Sequence, residues 1–153
     1  MRNIITGALL ACAAIAATPA AAAEPSQPCT TPSTTEAVVR IFFDEVFIQG
    51  KIRHGFECYV REDYIQHNPL AADGRDAVLK FFESIPADKL PKVTLARIIA
   101  QGDLAAVHYK TEFPGQPPMA VVDIFRVDHG KIAEHWDVVQ PIPPTSANPH
   151  PMF

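Results

Sequence analysis

Met119-Ala120-Val121-Val122-Asp123-Ile124-Phe125-Arg126-Val127-Asp128-His129-Gly130-Lys131-Ile132-Ala133-Glu134-His135-Trp136-Asp137-Val138-Val139-Gln140 is the stretch whose reading decides the fold. Both halves are rich in β-branched and aromatic residues, and His129-Gly130 between them is a tight turn signal, so the stretch reads as two antiparallel strands, 119–128 and 131–140. Working upstream, Pro114-Gly115-Gln116-Pro117-Pro118 is a longer turn signal and Gly102-Asp103 a short one. They divide the preceding chain into two more strands, 92–101 and 104–113, which completes a four-stranded antiparallel meander.

Before Pro91 the hydrophobic period changes from extended to helical. Val38, Val39, Phe42, Phe43, Val46 and Phe47 recur at helical spacing, Thr34 or Thr35 can cap their helix, and Gly50 stops it. A short second helix is expected over 52–60. Tyr64-Ile65-Gln66-His67-Asn68 is then held extended by Pro69, and a third helix carries Ala77, Val78, Phe81, Phe82 and Ile85 up to the breaker Pro86. Helices first and an antiparallel sheet afterwards imply an α+β class. The expected architecture is a cone-shaped α+β barrel, its curved sheet wrapped over the N-terminal helices around an internal pocket lined by alternate strand residues.

The chain has 153 residues and opens with Arg2, an apolar run over 4–17 and small residues at Ala21 and Ala23. This is the layout of a secretory signal peptide, with cleavage expected before Glu24. A lipoprotein box at Leu9-Leu10-Ala11-Cys12 is the rival reading. The expected organisation is thus a signal peptide over 1–23, a flexible Pro-, Ser- and Thr-rich arm over 24–33, one domain over 34–140, and a proline-rich tail over 141–153. A periplasmic or secreted product with no membrane attachment after cleavage follows. Export would deliver Cys29 and Cys58 to an oxidising compartment where a disulfide persists; the alternative is two unlinked thiols, with Cys58 buried as a small hydrophobe. The formal charge of the whole chain is −4 and becomes more negative once Arg2 is removed. An acidic surface repels phosphate backbones, so no nucleic-acid partner is expected.

Strand register supplies candidate chemistry. If His129-Gly130 is a two-residue turn followed by regular pairing, Asp123 faces Trp136, and a nearly centred register in the longer hairpin sets Asp123 opposite His108. His108, Asp123 and Trp136 would then share one face, with His135 and Asp137 on the other; a slip of one residue in the longer turn would remove His108. A carboxylate and an imidazole in an apolar pocket form an acid/base pair. The competing reading of Asp123 is a structural bond to Arg97 or Arg126. His67 and Asn68 lie where a loop covers a pocket mouth or caps the third helix, and Tyr64, Phe125 and Trp136 supply aromatic surface for a bound molecule. The six histidines lack paired metal-ligand spacing, so no metal is expected, and the lack of a Gly-rich phosphate loop and of a Gly-x-Ser-x-Gly elbow disfavours nucleotide chemistry and serine hydrolysis.

Tyr64-Ile65-Gln66-His67-Asn68-Pro69, Gly74-Arg75-Asp76 and above all the run from Val122 to Gln140 resemble the SnoaL-like polyketide-cyclase branch of the nuclear transport factor 2-like superfamily. The resemblance spans nearly the whole chain after residue 23. It implies a cofactor-free intramolecular aldol condensation of a small carbonyl compound, with His108 and Asp123 at the positions of the acid/base residues, and a homodimer formed through the sheet. A non-catalytic protein that binds a small apolar metabolite on the same scaffold is the alternative.

Overall fold

Thr34 adopts extended backbone (φ −125°, ψ 151°) and its Oγ1 accepts the Ala37 N–H at 3.2 Å, satisfying one of the free donors at a helix start. In the computed structural model, which describes residues 27–153, this cap launches α1, Thr35–Phe43. The leader expected over 1–23 lies outside the described residues. The apolar run continues past α1 as a π-helical turn, Asp44–Ile48, before Gly50 turns the chain with φ +71°. Then come α2 (Ile52–Tyr59), β1 (Val60–Gln66), α3 (Arg75–Glu83), a 3-10 turn (Ala87–Lys89), β2 (Lys92–Gln101), β3 (Leu104–Glu112), β4 (Met119–Asp128) and β5 (Lys131–Pro141).

The sheet has five strands in the order β1-β5-β4-β3-β2, one more than the meander expected from the sequence. The added strand β1 runs parallel to β5, and His67 prolongs that pairing by donating its N–H to the His135 carbonyl at 2.9 Å. β1 and β2 remain edges, so the curved sheet is open and not a closed barrel. One face of it packs on the helices through aromatic contacts. Phe42 lies edge-on to Phe125 at 5.7 Å and to Phe56 at 5.2 Å, and Phe43 meets Tyr109 at 5.1 Å. Rings in such T-shaped pairs add about 0.5–1.5 kcal/mol each beyond the area they bury.

The arm is tied down. Cys29 and Cys58 form a disulfide, Thr30 Oγ1 shares a 2.7 Å hydrogen bond with the Tyr59 hydroxyl, and the Gln27 side-chain oxygen accepts from Lys51 Nζ at 3.0 Å. Residues 27–30 therefore lie against α2, where the sequence suggested a free segment. At the other end the tail folds back and sets Phe153 5.4 Å from the His108 ring.

The β4–β5 turn is the expected two-residue one. Its type needs positive φ at both central residues, and His129 (+48°) and Gly130 (+76°) supply them. Pairing starts as expected with Asp128 opposite Lys131 and Val127 opposite Ile132, but Arg126 then faces Glu134. Ala133 is the extra residue of a β-bulge, and everything beyond it is offset by one. Asp123 consequently faces Asp137, while Trp136 faces Ile124.

Candidate functional site

The offset exchanges the two faces of β5. His135 and Asp137, expected on the outside, point to the same side as Asp123, and Trp136 goes to the outer face. On β3 the register also differs by one, with Val107 opposite Asp123 and His108 opposite Val122. His108 is thus on the outer surface, beside Phe153 and apart from the cavity. The convergence of His108, Asp123 and Trp136 does not occur, because a one-residue slip moves a side chain to the opposite face.

Three carboxylate and imidazole groups meet instead inside the sheet's concave face. Asp123, Asp137 and His135 bring ligand atoms within 4.8 Å of one another. They sit at the wall of a cavity of about 270 Å³ whose remaining lining is mostly apolar, including Phe47, Phe56, Val78, Phe82, Met119 and Val121. No Lys or Arg is among its lining residues. Asp123 is 4% exposed and His135 9%.

Each polar group has a partner. Asp123 Oδ2 accepts the Tyr109 hydroxyl at 3.0 Å, and Asp123 Oδ1 lies 3.3 Å from His135 Nε2. His135 Nδ1 is 2.9 Å from Gln66 Oε1. That oxygen also receives the Asn68 backbone N–H at 3.0 Å, while Gln66 Nε2 donates to the Tyr64 hydroxyl at 3.3 Å. A backbone N–H only donates, so Gln66 presents an oxygen and His135 Nδ1 must be the protonated nitrogen. His135 therefore turns its second ring nitrogen, Nε2, toward Asp123 Oδ1. Asn68 Nδ2 meanwhile donates to Asp137 Oδ2 at 2.6 Å, and its Oδ1 accepts the Leu70 N–H at 2.8 Å.

The two phenols are held neutral. Burial, followed by the nearby Asp123 charge, pushes both Tyr64 and Tyr109 far above the ordinary tyrosine range. Tyr109 spends its proton on Asp123. Tyr64 accepts from Gln66, so its own O–H remains available to a molecule in the cavity.

Of the residues singled out in the sequence, Asp123, Tyr64 and Asn68 line the cavity. Phe125 lies behind it, stacked on the His135 ring at 4.9 Å and packed on Phe42. His67 does not enter. Its ring stacks on Trp136 at 4.3 Å and 5°, and its Nε2 pairs with Glu134 Oε2 at 3.0 Å. Hydrogen bonds from His67 and then Arg126 hold the Glu134 carboxyl below the usual range, so this outer cluster is a charged lattice of its own. His135, Asp137, Tyr109 and Gln66 were missed; the adjacent apolar pair Ile132-Ala133, which interrupts strict alternation, was the available sign of the bulge that places the first two.

A half-open α+β cone with a largely apolar cavity and polar groups on its sheet wall is the architecture of the nuclear transport factor 2-like fold. Residues 36–135 match the model of the SnoaL-like domain, and the chain belongs to that family. Among curated proteins none matches it. Similar solved structures include a candidate ketosteroid isomerase from Kribbella flavida DSM 17836 (23% identity, 76% of this chain and 82% of that one, TM-score 0.60). An NTF-2 like protein from Burkholderia xenovorans LB400 is 17% identical over 74% of this chain and 88% of its own, with TM-score 0.63. IdmH from Streptomyces antibioticus, a candidate polyketide cyclase, is 22% identical over 70% and 92%, with TM-score 0.56. At these identities the likeness is one of fold.

Proposed function

We propose that this protein is an exported acid/base enzyme of aldol-condensation or cyclase type, acting without a cofactor on a small neutral carbonyl compound. The observation that carries this reading is the chain Tyr109–Asp123–His135–Gln66, buried on the wall of an apolar cavity beside the free Tyr64 hydroxyl. Asp123 as carboxylate takes a proton from the carbon next to the carbonyl. Tyr64 donates to the oxygen on which the enolate charge develops, where a neutral phenol in a dry site is most effective. The enolate carbon then bonds to a second carbonyl carbon of the same molecule, and the new alkoxide takes back the proton through Asp123. His135, with Nε2 3.3 Å from Asp123 Oδ1, stands where His108 was expected to act, as the imidazole partner of that carboxylate. The absence of Lys and Arg from the lining favours a neutral substrate over an anion. The candidate cyclase and isomerase descriptions of similar folds are in keeping with this chemistry.

The test uses α-tetralone and larger fused-ring ketones in D2O, with α-deuteration followed by NMR and binding by saturation transfer. The wild type should exchange a ketone that it binds, and Asp123→Asn should bind that ketone equally while losing exchange by at least about 100-fold. Binding without exchange by the wild type would leave the other reading, a carrier that only holds its ligand.

Two further expectations belong here as proposals. The outer face carries Ile99, Ala106, Ile124 and Trp136 in one cross-strand row, with Ile99 65% and Val138 66% exposed. A second copy covering this row gives a homodimer, and Ile99→Glu should make it monomeric in sedimentation. The Cys29–Cys58 disulfide supports export, since such bonds persist outside the reducing cytoplasm.

A further inference from the structure

Outside the cavity lining, a histidine stands beside the disulfide. His54 and Cys58 are four residues apart on α2 and therefore share one helix face, with His54 Nε2 3.5 Å from Cys58 Sγ. Cys29 Sγ completes a group whose ligand atoms all lie within 4.8 Å of one another. The other ring nitrogen of His54 donates to Glu45 Oε2 at 2.6 Å, and both side chains are largely sheltered, 19% and 13% exposed. In the disulfide form Nε2–H donates to the Gln27 carbonyl at 2.9 Å.

Zinc bonds to thiolate at about 2.3 Å and to imidazole at about 2.0–2.1 Å, so the sulfur-to-nitrogen edge of its tetrahedron is about 3.6 Å. The Cys58–His54 pair already has that separation. A carboxylate on the far nitrogen of a ligating histidine is the arrangement that fixes its tautomer and strengthens it as a donor, and Glu45 occupies that place. The geometry points to a divalent zinc site that forms when the disulfide is reduced, with Cys29, Cys58 and His54 as ligands, Glu45 behind His54, and water in the fourth position.

The chemistry balances with an external dithiol as reductant. Two electrons and two protons from the dithiol open the S–S bond to two thiols, and the dithiol leaves as its own disulfide. Metal binding then releases both thiol protons and the Nε2 proton to solvent, while Nδ1–H stays with Glu45. Cys29 is exposed, so reductant and metal both have access. The inference is independent of the cavity's chemistry. It also differs from the sequence expectation of no metal, which rested on histidine spacing and did not consider one histidine beside a cysteine pair.

The test titrates cobalt(II) into the chain beginning at Glu24, the start expected after cleavage, oxidised or reduced with a non-thiol phosphine under argon, with circular dichroism recorded alongside. The reduced protein should bind one cobalt, with a thiolate-to-cobalt charge-transfer band and intense tetrahedral visible bands that zinc abolishes. The oxidised protein should show neither. His54→Ala should weaken binding by at least about 100-fold and Glu45→Gln by about 10–100-fold. Equal binding by His54→Ala would reveal an adventitious two-thiol site and overturn the inference. So would octahedral spectra, no binding, or a reduced chain that loses its fold and is not restored by the metal.

Discussion

Tyr109→Phe isolates the polar chain from the packing around it. The Tyr109 ring is buried against Phe43 at 5.1 Å and is inclined 27° to Phe47 at 6.3 Å, and phenylalanine preserves both contacts. What is lost is one hydroxyl, whose 3.0 Å bond is one of the two side-chain contacts recorded for the Asp123 carboxylate. A hydrogen bond to a charged group contributes about 1.5–3 kcal/mol net. For a domain of this size each kcal/mol moves the melting temperature by roughly 3–5 °C, so the variant should melt about 5–15 °C lower at pH 7. Urea denaturation supplies the free energy, and an Asp123→Leu background supplies the control. There the hydroxyl has no carboxylate to bind, so Tyr109→Phe should become neutral or stabilising, giving a coupling of at least about 1 kcal/mol. A single-variant cost below about 0.5 kcal/mol, or the same cost in both backgrounds, would refute the claim that this phenol supports a buried carboxylate.

Tyr64 and Tyr109 are pushed above the ordinary tyrosine range by burial, so their contribution to stability is complete below about pH 10 and declines as the pH rises beyond it. An ultraviolet titration should leave Tyr64 and Tyr109 un-ionised until the fold opens in base; ordinary titration of both in the folded state would contradict their burial. Replacing both Cys29 and Cys58 by Ser should cost about 3–4 kcal/mol in urea, the entropy of a closure spanning 29 residues, and an unchanged midpoint would show that the arm adds nothing. Gly55→Ala should destabilise by about 1–2 kcal/mol although alanine is the better helix former by about 1 kcal/mol, because its Cβ would meet Val46 Cγ2 at 2.5 Å. Val46→Ala in the same chain should return part of that loss, and a stabilising Gly55→Ala would show that α2 is free to move away from the π-helical turn.

The layer order was legible because it rests on periodicity: Val38 to Phe47 declare a helix and the runs after Pro91 declare strands, and each forms where expected. β1 was not legible as a strand. Its residues Val60 to Gln66 are mostly polar, with only Val60 and Tyr64 buried, as befits a sheet edge that turns one side to water. Its strand character comes from β5, whose exposed edge it completes in parallel; no local propensity announces such a partner.

The site was half legible for a more specific reason. Asp123 stood out as a carboxylate within an apolar strand, and it does line the cavity. Its partners depend on register, to which alternating side chains are most sensitive. Had β5 paired regularly from the His129-Gly130 turn, Trp136 would face inward and His135 would stack outside. The extra residue Ala133 reverses this, since both Ile132 and Ala133 are buried and the strand resumes alternation one step later. The bulge thereby brings one imidazole and a second carboxylate to Asp123 and moves the bulky indole out to a face where a second copy can cover it. What β5 adds to each proposed surface, His135 and Asp137 to the polar wall of the cavity and Trp136 to the apolar row outside, follows from that one inserted alanine.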